Sequence, residues 1–196
     1  MSTEERKTIY LCLAHMSEEG YEQKYVKEAF DTNWVVPMGP NVNAFEQNLA
    51  DFANANSDGS KLARKVVCLS AGTAAVHLAL IACGVKAGDE VCVQSFTFCA
   101  SSHPIIYLGA KPVFIDSERE TWNMDPELLE KAIIERKTVT GKYPKAIIPV
   151  ALYGMPYDCE RIMAIADKYG ISVIEDAAEG MGARFNGQVL GTFGRF

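Results

Sequence analysis

From Lys65 to Asp176 the chain repeats one pattern, an apolar run of strand length followed by a stretch of helix length. The runs are "KVVCLS", "DEVCVQ", "KPVFID", "KAIIPVAL" and "SVIED", and between them lie "GTAAVHLALIACG", "TFCASSHPIIYLG", "DPELLEKAIIE" and "DCERIMAIADKYG". The runs are apolar almost throughout rather than alternating, so both faces of each strand must be covered. That condition is met by a mainly parallel sheet with helices on both faces, an α/β fold. Strands are expected at about 66–69, 91–94, 112–115, 146–150 and 172–175. Local signals sharpen the frame. Gly84 closes the first helix, Pro104 perturbs the second, and Asp125 caps the third with Pro126 at its first position. "ARFNGQVLG" reads as a hairpin turning at Asn186-Gly187.

The residues before this pattern are organised differently. "IYLCLAHM" (9–16) reads as a strand or an arm, and 18–33 as a helix carrying Tyr21, Tyr25 and Phe30. "WVVPMGPNV" (34–42), with two prolines and a glycine, is expected as an ordered loop or a substrate-side segment. "NAFEQNLADFAN" puts Phe45, Leu49 and Phe52 on one helical face, and "NSDGS" is a loop. The division expected is 1–60 as an N-terminal arm with helices, and 61–196 as the large domain.

The net charge of −6 and the lack of a Lys/Arg-rich block argue against non-specific nucleic-acid binding. No apolar stretch approaches membrane-spanning length, and the charged start "MSTEERKTIY" is unlike a signal peptide. The six cysteines form no C-x-x-C pair and read as buried free thiols in a reducing cytosol. A cytoplasmic protein with no membrane partner is expected.

In a parallel sheet, ligands gather where strands end and helices begin. "SAGT" (70–73) is a tight strand-to-helix turn. Gly72 lets backbone approach a ligand, and the first-turn N–H groups with the Thr73 hydroxyl suit a phosphate; taken alone, a threonine there reads first as an ordinary N-cap. "SFTF" (95–98) offers Phe96 and Phe98. Strand alternation would send one into the core and one to the cleft, where an aromatic could stack on a flat ring. "VIEDAAEG" (173–180) ends a strand with Glu175, Asp176 and Glu179. A carboxylate there could cap a helix, bind a metal, act as acid or base, or face a buried cation. No histidine follows His103, so no metal cluster is indicated. Phosphate turn, aromatic and strand-end carboxylate together describe a site for pyridoxal phosphate.

The stretches "SAGTAAVHLALIACGVKAGDEVCVQSFTFCASSHPIIYLGAKPVFIDSERETWNMDPELLEKAI" and "AIIPVALYGMPYDCERIMAIADKYGISVIEDAAEGMGARFNGQVLGTFG" resemble the DegT/DnrJ/EryC1/StrS aminotransferases. The resemblance implies an aspartate-aminotransferase-like (type I) large domain and amination of a nucleotide-linked keto-sugar. Gly72 and Thr73 match the family's phosphate turn, Phe98 the ring-stacking aromatic, and Asp176 the partner of the ring nitrogen. Glu179 falls near the ring's 3-hydroxyl. Its identity, and "DTNWVVPMGPNVNAFE", are similar to the branch of UDP-4-keto-6-deoxy-N-acetylhexosamine 4-aminotransferases, enzymes of cell-surface polysaccharide and glycan biosynthesis. Glutamate as amino donor and a homodimer with shared active sites are further implications.

The family's Schiff-base lysine follows a "GTFG…S…NK" stretch. Here the sequence reads "GTFGRF" and its last lysine is Lys168, so no catalytic lysine is expected among these residues, and no C-terminal small domain. The expectation is an aminotransferase whose lysine lies outside the chain. The alternatives are a lysine-less partner subunit and a dehydratase of the same superfamily.

Overall fold

The computed structural model describes residues 16–55 and 63–196. The expected strand or arm at 9–16, apart from Met16, and the loop at 56–60 lie outside the described residues. The chain divides into compact units at Met1–Glu46 and Gln47–Phe196.

In the first unit, α1 spans Tyr21–Asp31. Ser17 sets its start: its Oγ accepts from Tyr21 N (3.0 Å) while the Glu22 carboxylate accepts from Ser17 N (3.0 Å). This reciprocal pair satisfies donors that a helix end leaves open. The following loop is ordered by a bridge between Val36 and Met38 and by Gly39. A Cβ on Gly39 would lie 2.9 Å from Trp34 Cε3, so the indole packs where a side chain would be. Residues 40–42, expected as loop, instead open α2 (Pro40–Ala55). Pro40 is suited to that place because the first helical N–H has no partner to lose.

The second unit is built on four parallel strands: β1 (Glu90–Gln94), β2 (Lys111–Ile115), β3 (Ala146–Ile148) and β4 (Ser172–Val173), in the order β2-β1-β3-β4. Four helices cover it: α3 (Gly72–Ala82), α4 (His103–Tyr107), α5 (Pro126–Thr140) and α6 (Cys159–Tyr169). Successive strand residues face opposite ways. Cys92, Ile115, Ile147 and Val173 pack with Leu129 and Ile133 of α5 and Ile162 of α6. Val91, Val93, Ala146 and Ile148 pack with Val76 and Leu80 of α3 and Ile105 of α4. The two-sided cover expected from the apolar runs is therefore present.

Caps and turns follow the local sequence. Asp125 accepts from Glu127 N (2.7 Å) and Leu128 N (3.2 Å) at the start of α5. Asn186 (φ 47°) and Gly187 (φ 86°) turn the hairpin of β5 (Arg184–Phe185) and β6 (Gln188–Val189). The helix expected over 97–109 is broken into a 3₁₀ turn, Cys99–Ser101, and α4, with the break just before Pro104. Arg136 of α5 grips Glu90 through two bonds (2.9 and 2.8 Å) at the amino end of β1.

One expected strand is absent. Residues 66–69 pair with no strand, and Val67 is 69% exposed. The free edge of β4 is met instead by the last residues: Arg195 N donates to Val173 O and Phe196 O accepts from Glu175 N, both at 2.8 Å. Arg64, just before the expected strand, donates its guanidinium to the carbonyls of Thr192 (2.6 Å) and Gly194 (2.9 Å). A strand exists only where a ladder partner is available, and this edge is taken.

Candidate functional site

The chain leaves β1 for β2 on one side and then crosses to β3 on the other. The carboxyl ends of β1 and β3 thus flank the crevice where open α/β sheets bind ligands. α3 opens at the same end. Its far end, at Gly84, lies against the Lys145 side chain, and Lys145 N bonds Glu90 O (2.7 Å) at the sheet's amino edge. The helix therefore runs opposite to β1. Ala71, extended at φ −164°, precedes α3 and supplies no side-chain cap. Thr73 is the second residue of the helix, so the N-cap reading of it fails. A Cβ on Gly72 would meet nothing within 4 Å. An uncapped helix start with open space before it favours an anion.

After β1 the expectation of alternation needs correction. Phe96 is 44% and Phe98 78% exposed, and neither enters the core. The strand ends at Gln94, so residues 95–98 no longer obey a period of two. Phe96 meets Trp122 edge-on, with ring centroids 6.1 Å apart. Phe98 leads into the 3₁₀ turn and stands free as a flat apolar face.

The three carboxylates after β4 have three different fates. Glu175 is buried and holds the 191–194 segment, accepting from Gly191 N, Phe193 N (3.0 Å) and Gly194 N (3.2 Å). Burial pushes its carboxyl above the usual range, against the pull of these donors and of Arg64. Asp176 is half-buried and pairs with Val150 beyond β3. Its Oδ2 accepts from Ser101 Oγ at 2.6 Å and its Oδ1 from Ala178 N at 3.3 Å. Glu179 is exposed, and its Oε2 accepts from Tyr153 N (2.7 Å). Tyr153 has φ 51°, a conformation that a bulky residue adopts only when its surroundings impose it. A Cβ on Gly154 would sit 3.1 Å from Glu179 O, so these two loops are in close contact.

Ser101 thus ties the segment bearing Phe98 directly to Asp176, across the end of β3. Gly72 and Thr73 lie at the same sheet end, on a helix packed against residues 99–107. Glu179 is joined to the 152–154 turn rather than to Asp176.

Sequence reasoning missed four residues here. Ser101 is fully buried, and its hydroxyl lies 2.9 Å from Thr97 Oγ1. Gln94 and Asn123 are buried side-chain amides beneath the loops. Gln94 donates to Phe96 O (2.9 Å) and accepts from Met124 N (2.9 Å). Asn123 accepts from Leu152 N (3.0 Å) and donates to Met155 O (2.9 Å). A polar residue ending an otherwise apolar strand, as Gln94 does, was the available signal.

No group of three potential metal ligands is found among the described residues, nor any helix long and apolar enough to cross a membrane. Of the described cysteines, Cys83, Cys92 and Cys159 are buried free thiols, with Cys92 and Cys159 each pushed up to about 12 by burial. Cys99 is exposed and Cys68 half-buried, contrary to the expectation for them. Lys168 is spent on a surface bond to Glu130 (2.7 Å).

Comparison with known proteins gives a consistent result. The sequence profile of the DegT/DnrJ/EryC1/StrS aminotransferase family matches residues 16–196. EpsN of Bacillus subtilis, provisionally described as a pyridoxal phosphate-dependent aminotransferase, is 51% identical over 190 residues, covering 97% of this chain and 46% of that protein. The UDP-2-acetamido-2-deoxy-3-oxo-D-glucuronate aminotransferase of Pseudomonas aeruginosa is 44% identical over 153 residues, covering 77% and 38%. Among solved structures, the aminotransferase from Psychrobacter cryohalolentis superposes with a TM-score of 0.77 at 32% identity, covering 92% of this chain and 42% of that one. The chain spans less than half the length of these relatives.

Proposed function

Since the chain belongs to the DegT/DnrJ/EryC1/StrS aminotransferase family, whose cofactor is pyridoxal phosphate, we propose that it forms the cofactor-binding part of a sugar aminotransferase. The substrate is a nucleotide-linked 4-keto-6-deoxy amino sugar and the amino donor glutamate. The residues present fit the cofactor. The uncapped start of α3, with open space at Gly72 and the Thr73 hydroxyl, suits its phosphate. The exposed face of Phe98 suits its ring. Asp176 suits the ring nitrogen, and Glu179, fixed by Tyr153 N, stands on the neighbouring loop.

Bound there, the cofactor would supply an electron sink for the transfer of an amino group. The chain's own residues bind and orient. Helix N–H groups hold an anion, Phe98 offers a flat apolar surface, and Asp176 keeps a proton on the atom opposite it.

The observation that carries the reading is Asp176 itself, a half-buried carboxylate at the sheet's carboxyl end with one oxygen fixed by a buried hydroxyl and no cation among its described partners. The test is Asp176→Asn in the active enzyme, assayed with a UDP-linked 4-keto sugar and glutamate. Turnover should fall by at least about a hundredfold, as when one preorganised electrostatic partner is removed, with unchanged circular dichroism. Undiminished turnover would refute the role of Asp176.

A further inference from the structure

The hydroxyls of Thr97 and Ser101 form a chain that ends on Asp176, and their polarity can be deduced. Ser101 Oγ donates to Asp176 Oδ2 at 2.6 Å. A serine hydroxyl has one proton to give, so at the 2.9 Å contact between Ser101 and Thr97 the threonine must be the donor. The direction is Thr97 to Ser101 to Asp176. Each bond polarises the next, and Ser101 is fully buried.

We propose that this chain makes Ser101 a positioning residue, with Thr97 behind it, that decides where the proton rests between Asp176 and the cofactor's ring nitrogen. The inference depends on the cofactor reading above. A carboxylate facing a pyridine nitrogen can hold the shared proton on oxygen or on nitrogen. A hydroxyl donates more strongly to an ionised carboxylate than to a neutral one, so the Ser101 bond favours the arrangement of the pair in which the shared proton sits on nitrogen. Ser101 occupies Oδ2 and leaves Oδ1 with only the long 3.3 Å contact from Ala178 N. One oxygen is thereby set aside for the ring and the other for the relay. The relay belongs to the segment that presents Phe98, so ring stacking and ring protonation are set by the same few residues.

The experiment uses pyridoxamine phosphate labelled at its ring nitrogen, which binds without needing a lysine, and reads both affinity and the nitrogen NMR shift. In the wild type the resonance should be that of a protonated ring. In Ser101→Ala it should move toward the neutral-ring position, and the dissociation constant should rise about tenfold or more, the scale of a hydrogen bond to a charged group. Ser101→Thr should restore both. Thr97→Val should give a smaller shift in the same direction, and it serves as the second probe if Ser101→Ala fails to fold.

An unchanged resonance in Ser101→Ala, or a loss that Ser101→Thr does not rescue, would overturn the relay. Failure of the cofactor reading looks different. There the wild-type ring would itself be neutral, or the probe would bind equally well to Asp176→Ala.

Discussion

Glu175 shows how little of a carboxylate's role can be read from its neighbours in sequence. It adjoins Asp176, yet it points into the 191–194 turn, where it accepts three backbone N–H groups. Because burial raises its pKa from 4.5, the folded state holds this proton more tightly than the unfolded chain does. Stability contributed by the protonated form is complete below the unfolded pKa and is lost as pH rises through the folded one. Urea denaturation at several pH values should show this loss, and Glu175→Gln should abolish it. The same variant should cost about 1.5–3 kcal/mol, since the new NH₂ group faces backbone donors. A Gln variant with wild-type stability and the wild-type pH slope would contradict the assignment. Asp176, by contrast, could be singled out in the sequence as a carboxylate ending an apolar strand. Ser101 could not, since its partner lies 75 residues away along the chain and only the crossing of β1, β3 and β4 brings them together.

At the scale of elements, the sequence was informative wherever a signal is local. Asp125 caps α5, and Asn186-Gly187 turns its hairpin. It misled where an element depends on a distant partner. Residues 66–69 have strand composition but no ladder, and Phe96 and Phe98 follow a strand that had already ended. α3 offers a test of whether an element is tuned for a ligand or for itself. Gly72 has no positive φ, and a Cβ on it would meet nothing within 4 Å among the described residues. Gly72→Ala should stabilise the protein by about 0.4–1 kcal/mol through the unfolded state. The added methyl should meanwhile weaken pyridoxal phosphate binding. Thermal unfolding and a cofactor titration would measure the two effects, and improved or unchanged cofactor affinity would remove Gly72 from the phosphate site.

For the molecule as a whole, the covering helices leave apolar residues facing outward. Leu78 and Ile81 on α3 and Ile106 and Tyr107 on α4 are each about half exposed or more (48%, 50%, 55% and 60%). Contiguous patches of this kind favour association, and the homodimer expected for this family would cover such a face. Sedimentation equilibrium should give a dimer, and Ile81→Glu should shift it toward monomer; a wild-type monomer at all concentrations would refute the expectation. The buried amides of Gln94 and Asn123 have a consequence for how such a protein can change over generations. Their bonds reach residues 96, 124, 152 and 155, in loops belonging to three different crossovers. No one of these loops can be exchanged for a foreign version without orphaning a buried donor or acceptor in the others. They are inherited as a set. Change is least costly at their exposed side chains, Phe96, Trp122 and Tyr153, where a substitution disturbs none of these shared bonds. A library confined to those side chains should keep most of its members folded, whereas one that grafts a single whole loop should not.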